Sequence, residues 1–368
     1  MSIFLDGMFY RCSGVGRVYE NLLTALAGNA DVGEIHTIVP CVQKERFLEQ
    51  FPHPMIVPTF VGYGPMGFGD LTQKSVFLRS LRGKVRLCFF PGYNVPPSVP
   101  GRYIVSVNDV TVFSPHFRLP WYRKAGFRWL LSRAVHGAET VVTISETVKG
   151  DLVREFGLPP GKIRVIYPWV KEIFFGPPGD EPLPEPLQGK DYILYVGLRI
   201  AHKNVEGILR AFLLLGDDFP ELRLVVAGGR YTTPDMVDRW KTDPLFKDRL
   251  IELPDPTDEE IVRLFSGAKA FVFPSFAEGF GLPPLEAMAA GVPVVCSDIP
   301  VFREVYGDAV LYVDPSRAEA IAGGVRKVMT DPGAAARLTR SGRERASLYR
   351  QWRSMNAYLD LLGGGKFG

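Results

Sequence analysis

Short apolar runs alternate with longer stretches of helical periodicity along most of the chain. The first apolar runs are SIFLDG, EIHTIVP and VRLCFFPG, and a helical pattern from about Val18 to Leu26 separates the first two. Buried strands that alternate with helices predict a parallel sheet with crossover helices. The pattern starts again at YILYVG, residues 192–197. We therefore predict two doubly wound α/β domains in tandem, with a ligand cleft between them.

A stretch rich in proline, glycine and acidic residues separates the two series of elements. It reads GPPGDEPLPEPLQGKD over residues 176–191, and such a composition sustains neither a strand nor a helix for long. We predict an N-terminal domain over residues 1–172, a linker over residues 173–190 and a C-terminal domain over residues 191–349.

The last helical pattern, in residues 350–368 and just before them, carries apolar side chains at roughly helical spacing. They are Leu348, Trp352, Met355 and Tyr358. We expect this helix to pack across a domain surface. Its periodicity does not indicate which domain receives it.

Composition adds limits to this layout. The chain has 368 residues, of which 46% are hydrophobic, so each of two domains can bury its own core. The four cysteines lie far apart, which argues against a zinc site and a disulfide framework. No run of 18 uncharged apolar residues occurs, and the first residues lack the pattern of a secretion signal. We expect a cytoplasmic protein.

Charge is spread unevenly over the two halves. The first 170 residues carry 19 basic and 12 acidic side chains, whereas the remainder carry 24 and 28. A solvated basic face and a surface that meets an acidic partner both explain this asymmetry. The acidic second half and the lack of a reader motif argue against nucleic-acid binding.

The densest group of chemically informative residues lies in AKAFVFPSFAEGFGLPPLEAMAAGVPVVCSD, residues 268–298. A predicted strand ends at Ser275, and open α/β sheets bind ligands beyond the carboxyl ends of their strands. Glu278 follows that strand, and Glu286 comes eight positions later. A carboxylate accepts two hydrogen bonds, so it suits a vicinal diol such as a ribose or hexose edge.

The residues between these glutamates favour an anion site. Gly279 and Gly281 permit close backbone approach, and Pro283 and Pro284 can begin a helix. The first amides and the dipole of that helix attract negative charge, so a diphosphate fits there. A structural reading remains open, in which Glu286 complements the dipole and Glu278 is a solvated loop charge.

The run EGFGLPPLEAMAAGVPVV closely resembles the E-x7-E signature of the retaining family 4, or group 1, glycosyltransferases, which have the two-Rossmann GT-B fold. The resemblance implies that Glu278 contacts the donor hexose and that Glu286 holds the ribose hydroxyls of the nucleotide. It also implies that the backbone around Phe280, Gly281 and Leu282 faces the sugar and the diphosphate.

Other segments resemble the same family, and together they span most of residues 13–355. YILYVGLRIAHKNVEGILRAF resembles its strand, basic loop and helix, which places Lys203 on the phosphate-binding lysine. Many relatives have arginine where this chain has His202, and Arg199 is our candidate for the second cation. The fold also implies that residues 350–368 cross back to the N-terminal domain.

Two N-terminal segments extend the resemblance. SGVGRVYENLL is similar to the glycine loop that reaches the donor phosphate, which maps Gly14 and Gly16 onto it. RYIVSVNDVTVF matches the place where relatives carry a His-Asp pair beside the sugar, whereas this chain has Asn108 and Asp109. Asparagine can still donate to a hydroxyl. Asp109 either positions substrate hydroxyls or caps a loop.

The resemblance implies a retaining hexosyltransferase of bacterial O-antigen or other surface-polysaccharide assembly. GDP-mannose or a related GDP-sugar is the favoured donor, a UDP-sugar is the alternative, and the acceptor is a glycan or a lipid-linked glycan. No D-x-D metal motif occurs, and we expect neither a metal nor a cofactor. A catalytically silent GT-B protein that binds a sugar nucleotide is the rival reading. A nucleotide-sugar epimerase or oxidoreductase is disfavoured because no dinucleotide fingerprint is present.

The segment WYRKAGFRWLLSRAV, residues 121–135, mixes four cations with aromatic side chains that include Trp121, Phe127 and Trp129. Such a helix can lie on an anionic bilayer. It can equally be an ordinary helix with a buried aromatic face. The first reading predicts a peripheral contact of the N-terminal domain with the inner face of the cytoplasmic membrane.

Overall fold

A computed structural model describes residues 2–11, 13–29, 32–65, 67–117, 119–229 and 236–362. The chain divides into two compact units. The first comprises residues 1–113, 119–168 and 352–368, and the second comprises residues 114–118 and 169–351.

The first unit is built on a sheet of seven parallel strands. They are β1 (Ile3–Asp6), β2 (Ile35–Pro40), β3 (Ile56–Val61), β4 (Leu87–Phe90), β5 (Arg102–Val107), β6 (Thr140–Thr143) and β7 (Ile163–Val165). Its crossover helices are α1 (Ser13–Ala27), α2 (Lys44–Gln50), α3 (Phe68–Ser80), α4 (Trp121–Gly137) and α5 (Glu146–Phe156). The strand order is β3-β2-β1-β4-β5-β6-β7.

The order reverses direction beside β1, which pairs with β2 on one side and with β4 on the other. Ile3 lies opposite Ile35 and also opposite Leu87. All four residues of β1 and all four of β4 are buried, as helices on both faces of a parallel sheet require. Loops after these two strands therefore meet at the point where doubly wound folds bind ligands.

The second unit repeats this plan with six parallel strands. They are β8 (Tyr192–Val196), β9 (Arg223–Ala227), β10 (Leu250–Leu253), β11 (Ala270–Phe273), β12 (Val294–Ser297) and β13 (Leu311–Val313), in the order β10-β9-β8-β11-β12-β13. Its helices are α6 (Val205–Leu213), α7 (Met236–Trp240), α8 (Asp258–Gly267), α9 (Leu282–Ala290), α10 (Pro300–Tyr306), α11 (Ala318–Thr330) and α12 (Pro332–Ser347). The two doubly wound units confirm the predicted fold class.

The last helix, α13 (Gln351–Leu362), packs on the first unit. The Ser354 hydroxyl donates to the carbonyl oxygen of Tyr167, and the ring of Tyr358 meets that of Phe89 edge-on at 5.9 Å. These contacts join the end of the chain to the unit in which the chain begins. Among the described residues, no helix combines the length and the apolar character that a membrane crossing needs.

The boundary between the units differs from the predicted linker. The division falls between Pro168 and Trp169, and residues 173–190 group with the second unit. Phe174 and Leu187 are fully buried there, in two short 3-10 turns. The proline-rich composition excludes long regular elements, but it leaves these two apolar side chains free to anchor the segment.

Candidate functional site

The loop between β11 and α9 carries Glu278 and ends in a glycine with a left-handed backbone conformation. Gly281 is the N-cap of α9 and has φ +90°, in the left-handed region that favours glycine. A Cβ at this position would lie 2.1 Å from the hydroxyl oxygen of Tyr306. Pro283 and Pro284 occupy the first turn of α9, where a missing backbone N–H removes no hydrogen bond within the helix.

Lys203 and Glu278, which come from different loops, form an ion pair in this unit. The Nζ of Lys203 lies 2.5 Å from Oε1 of Glu278, and it also lies 5.5 Å from the ring centre of Phe273. The side chains are 19% and 9% exposed, so the pair is sheltered but accessible. The loops after β8 and β11 thus bring together the two residues predicted to act on the diphosphate and the hexose.

Asn204 fixes the position of this lysine. It has φ +56° and is the N-cap of α6, where its Oδ1 accepts from the N–H of Gly207 at 3.2 Å. Its Nδ2 donates to the carbonyl oxygens of Pro274 at 3.1 Å and Pro315 at 2.7 Å. One side chain therefore connects the loop of Lys203 to the end of β11. Asn204 directly follows Lys203 in the sequence, but only the lysine was predicted as a site residue.

The floor beside Glu278 is formed by buried tyrosines. Burial raises the pKa of Tyr195 and of Tyr306 well above the usual range, and the charge of Glu278 adds to both shifts. Their hydroxyls donate to the carbonyl oxygens of Leu198 at 2.9 Å and Gly281 at 2.7 Å. Both phenols therefore stay protonated and brace the backbone of the two loops.

The remaining donor-site predictions on this segment lie on or next to α9. Glu286 is 4% exposed, one turn into the helix. Phe280 is buried against the ring of Tyr349 at 5.5 Å, and Leu282 is half-buried. The ion pair and the 9% exposure of Glu278 argue against a solvated loop charge, whereas the reading in which Glu286 complements the helix dipole stays open. Its predicted contact with a ribose stays a prediction.

Arg199 is in a different environment from Lys203. Its guanidinium is buried and pairs with Glu252, whose other carboxylate oxygen pairs with Lys241. Burial tends to raise the pKa of Glu252, but hydrogen bonds from Lys241 and Arg199 outweigh it and hold that pKa low. Arg199 is thus committed to a carboxylate, and its predicted role as the second phosphate cation stays untested.

The first unit contains an aromatic cavity of about 230 Å³ at the carboxyl ends of β4 and β5. Its polar lining residues include Asn108 and Asp109, and its aromatic lining residues are Phe9, Tyr93, Phe113 and Phe127. Burial raises the pKa of Tyr93 to about 12, with a contribution from Asp109. Flat apolar faces beside a carboxylate and an amide suit a sugar ring.

The contacts of these two polar residues are local. Asn108 Oδ1 accepts from the Ser106 hydroxyl at 3.0 Å. Asp109 Oδ1 accepts from the N–H of Thr111 at 3.0 Å and from its hydroxyl at 2.6 Å. Of the two readings of Asp109, these bonds support the loop cap, and the carboxylate keeps its second oxygen for another partner.

The predicted glycine loop opens α1 in the same unit. A Cβ on Gly16 would lie 2.4 Å from the carbonyl oxygen of Phe9, so this position requires glycine. A Cβ on Gly14 would meet nothing within 4 Å. Gly16 therefore has a packing role, whereas the contact of either glycine with a donor phosphate stays a prediction.

Two family models match the chain. The model described as "Glycosyl transferases group 1" matches residues 183–345, and "Glycosyltransferase Family 4" matches residues 12–172. Together they cover most of the sequence and follow the two units. The chain belongs to the group 1 glycosyltransferase family.

Relatives within this family include two proteins of O-antigen assembly. The O-antigen chain mannosyltransferase RfbU of Salmonella typhimurium is 31% identical over 233 residues, which are 63% of this chain and 62% of that protein. The O-antigen chain mannosyltransferase B of Escherichia coli is 30% identical over 250 residues, 62% of either chain. The matches span about three fifths of the length of these relatives.

The family fold is also seen in solved structures. Sucrose-phosphate synthase from Thermosynechococcus elongatus superposes with a TM-score of 0.75 over 99% of this chain and 98% of its own, at 19% identity. The fold of this group 1 member is therefore GT-B, as its sequence predicts.

One departure from the family pattern has a structural role. His202, which stands where the family resemblance implies an arginine, is buried, and its ring stacks on Phe117 at 5.4 Å. Its carbonyl oxygen accepts from the N–H of Phe276 at 2.8 Å, and the ring of His116 stacks on Phe276 at 4.4 Å. His202 thus serves as a packing platform beside Lys203.

The sequence analysis missed a buried ionic cluster in the first unit. Lys74 Nζ lies 2.7 Å from Oδ2 of Asp6 and 2.6 Å from Oδ1 of Asp70. Asn94 donates to Asp70, and Asp6 Oδ1 accepts from the N–H of Met8 at 3.1 Å. The available signal was a lysine four residues after an aspartate within an otherwise apolar helix face, together with an aspartate that ends β1.

Proposed function

We propose that the protein transfers a hexose from a nucleoside-diphosphate sugar to a hydroxyl of a glycan or a lipid-linked glycan. The observation that carries the proposal is the 2.5 Å pair of Lys203 and Glu278 on the loops after β8 and β11. An ammonium there neutralises a diphosphate, and the adjacent carboxylate accepts hydrogen bonds from hexose hydroxyls.

The reaction proceeds with retention of configuration. The bond from the anomeric carbon to the diphosphate oxygen breaks, while the acceptor oxygen bonds to that carbon from the same face. The acceptor proton passes to the departing phosphate. Lys203 and the first amides of α9 stabilise the negative charge on that phosphate, and Glu278 orients the hexose. Proton NMR of the product should show the anomeric configuration of the donor, and the opposite configuration would contradict retention.

GDP-mannose or a related GDP-sugar is the proposed donor. The two bacterial relatives are mannosyltransferases of O-antigen chains, which supports a mannosyl donor. Thermal-shift measurements with GDP-, UDP-, dTDP- and ADP-sugars test this choice. A rise in melting temperature with GDP-sugars is expected, whereas a rise with UDP-sugars alone would favour the alternative donor class.

The acceptor is proposed to occupy the aromatic cavity of the first unit. Phe9 and Tyr93 provide flat faces for a sugar ring, and the second oxygen of Asp109 is available to an acceptor hydroxyl. Replacement of Tyr93 by alanine should raise the KM for the acceptor by about tenfold and leave the KM for the donor unchanged. Equal changes in both constants would place the acceptor elsewhere.

Transfer is proposed to need no metal ion, because Lys203 supplies the charge that a divalent cation provides in other enzymes. The test is an assay with EDTA. Activity should persist at the same rate. Loss of activity with EDTA and its recovery with Mg²⁺ or Mn²⁺ would contradict the proposal.

A protein that binds the donor without turnover is the second candidate function. Two features favour it: His202 packs on Phe117, and Asn108 stands where the family resemblance implies a histidine. A transfer assay distinguishes the two functions. The protein is incubated with the donor that stabilises it and with a panel of mannosyl and N-acetylglucosaminyl acceptors on alkyl chains. Transfer supports the enzyme, and saturable binding without any transfer supports the binding protein.

A peripheral membrane contact through α4 forms part of the proposal. Trp121 and Trp129 are 81% and 66% exposed, and Arg123 and Arg128 are exposed on the same helix. Exposed indole rings among cations are typical of helices that lie in an anionic interface. Vesicles containing phosphatidylglycerol should carry the protein in flotation, and the pair Trp121→Ser and Trp129→Ser should abolish this. If phosphatidylglycerol vesicles and neutral vesicles carried the same fraction of the protein, the proposed membrane contact would be contradicted.

A further inference from the structure

Tyr306 ends α10 and is fully buried behind the loop that carries Glu278. Its hydroxyl donates a hydrogen bond of 2.7 Å to the main-chain carbonyl oxygen of Gly281. We propose that Tyr306 is a positioning residue that holds Gly281 in one conformation and thereby aims the amides of Gly281 and Leu282 at the donor diphosphate. The inference rests on the proposed function, in which the second unit binds a nucleoside diphosphate.

The geometry at Gly281 shows why this position needs a restraint. With φ +90° and ψ +71°, it adopts a conformation that only glycine populates readily. Glycine visits left- and right-handed regions alike, so an unrestrained Gly281 would present its amide in several directions. The added Cβ would lie 2.1 Å from the Tyr306 hydroxyl and 2.7 Å from the Phe302 ring. The backbone is thus pressed against two rings, and the hydrogen bond selects one orientation.

Tyr306 is itself held from behind. Its ring packs on Phe302 with centres 4.9 Å apart. The guanidinium of Arg345 donates to the carbonyl oxygens of Glu304 and Val305, both at 2.6 Å. These bonds tie the last turn of α10 to α12. A rigid helix therefore stands behind the glycine, which is the arrangement that a preorganised anion site requires.

The phenol does not serve as an acid. Burial raises the pKa of Tyr306 well above its usual range, and the charge of Glu278 adds to the shift. Its proton is directed to the Gly281 carbonyl. Tyr306 therefore acts through the backbone of the donor loop and is a positioning residue.

Titration calorimetry with GDP and with UDP tests this inference on Tyr306→Phe. The variant keeps the ring and removes one hydrogen bond, and we expect the Kd of the nucleotide that binds to rise about tenfold. Tyr312→Phe is the matched control. That hydroxyl also donates to main-chain carbonyls of α10 and its end, those of Phe302 at 2.9 Å and Gly307 at 2.6 Å. We expect similar melting temperatures for both variants and unchanged binding for Tyr312→Phe.

A second pair of variants gives the answer should Tyr306→Phe not fold. Gly281→Ala and Gly291→Ala introduce the same left-handed strain at opposite ends of α9, since Gly291 has φ +88°. Gly281→Ala should weaken nucleotide binding at least tenfold, whereas Gly291→Ala should lower only the melting temperature.

These measurements distinguish a failure of the positioning role of Tyr306 from a failure of the proposed function. Unchanged binding in Tyr306→Phe, or equal weakening in Tyr306→Phe and Tyr312→Phe, would overturn the positioning role while the donor site stands. Equal weakening in the two glycine variants would overturn it as well. If the unaltered protein bound neither nucleotide, the proposed function and the inference would both fail.

Discussion

Each unit places a lysine beside a carboxylate near the carboxyl end of its first strand. In the first unit, Asp6 ends β1 and pairs with Lys74, which is fully buried. In the second unit, Lys203 follows β8 and pairs with Glu278, which follows β11, and both side chains retain access to solvent. β8 and β11 correspond to β1 and β4 in the two strand orders. The two clusters have similar chemistry but differ in their access to solvent. The buried cluster stabilises the fold, whereas the accessible cluster can receive a ligand.

The surroundings of the two lysines explain that difference. Lys74 pairs with two carboxylates and is fully buried, so an outside group cannot reach its ammonium. Lys203 forms one ion pair and keeps further ammonium protons for phosphate oxygens. A site that binds a substrate must leave hydrogen-bonding capacity unused by its own fold.

The largest expected effect separates the two lysines by stability. Lys74→Met leaves two buried carboxylates without a counter-charge, and the free energy of unfolding should fall by about 3–5 kcal/mol. Lys203→Met removes one pair that keeps some access to solvent, and it should cost less than Lys74→Met. Urea unfolding of the two variants measures both values. Equal losses would show that burial does not distinguish the clusters.

The next effect concerns activity and divides the two glutamates of the donor unit. Glu278→Gln should lower kcat by about 10²–10³-fold, because it removes charge at the reacting sugar. Glu286→Gln should instead raise the Kd of the nucleotide by about tenfold or more, since a charged hydrogen bond to the ribose is lost. Steady-state kinetics with calorimetry on each variant measure these values. Indistinguishable kinetics would contradict the division of roles.

The pH dependence of the free energy of unfolding distinguishes Asp6 in the buried cluster from an ordinary carboxylate. Burial raises the pKa of Asp6 above 3.8, although Lys74 opposes the shift. The folded state therefore binds this proton more tightly than the unfolded state, and stability declines as pH rises from 3.8 through the raised pKa. Asp6→Asn lacks this decline, so its stability relative to wild type should improve with rising pH in urea titrations. A relative stability that worsens with rising pH would contradict this sign.

Glu252 of the second unit should behave in the opposite sense. Its pKa is lowered below 4.5 because hydrogen bonds from Lys241 and Arg199 outweigh burial. Its contribution to stability is present above 4.5 and is lost as pH falls through the lowered pKa. Glu252→Gln should therefore flatten the acid limb of the stability curve. An acid limb as steep as that of wild type would show that the pair does not titrate as proposed.

The smallest effect concerns Asp109. Its Oδ1 accepts from Thr111, and asparagine offers the same acceptor. Asp109→Asn should therefore change kcat/KM by less than about threefold, since the amide keeps the cap and still offers a donor to an acceptor hydroxyl, whereas Asp109→Ala should disturb the turn and the cavity. A loss of 100-fold in Asp109→Asn would assign the residue to the reacting groups.

The sequence predicted most of the fold because alternating strands and helices leave a strong periodic signal. The sequence also predicted that Glu278 and Lys203 share one site, because residues that follow parallel strands lie at the same edge of the sheet. Asp6 was missed as the partner of Lys74 and Asp70 because contacts between distant segments leave no periodic trace. The packing of His202 on Phe117 was missed for the same reason. The role of Tyr306 depends on the φ angle of Gly281, which residue types suggest but do not fix.

Calorimetry of GDP-mannose with the unaltered protein and with Lys203→Met tests the donor site most directly. We predict saturable binding to the unaltered protein and a Kd about 10- to 100-fold higher for the variant, which keeps its fold and loses the ammonium. Equal affinity of the two proteins, or no binding of GDP-, UDP-, dTDP- or ADP-sugars to the unaltered protein, would contradict a donor site at the Lys203–Glu278 pair.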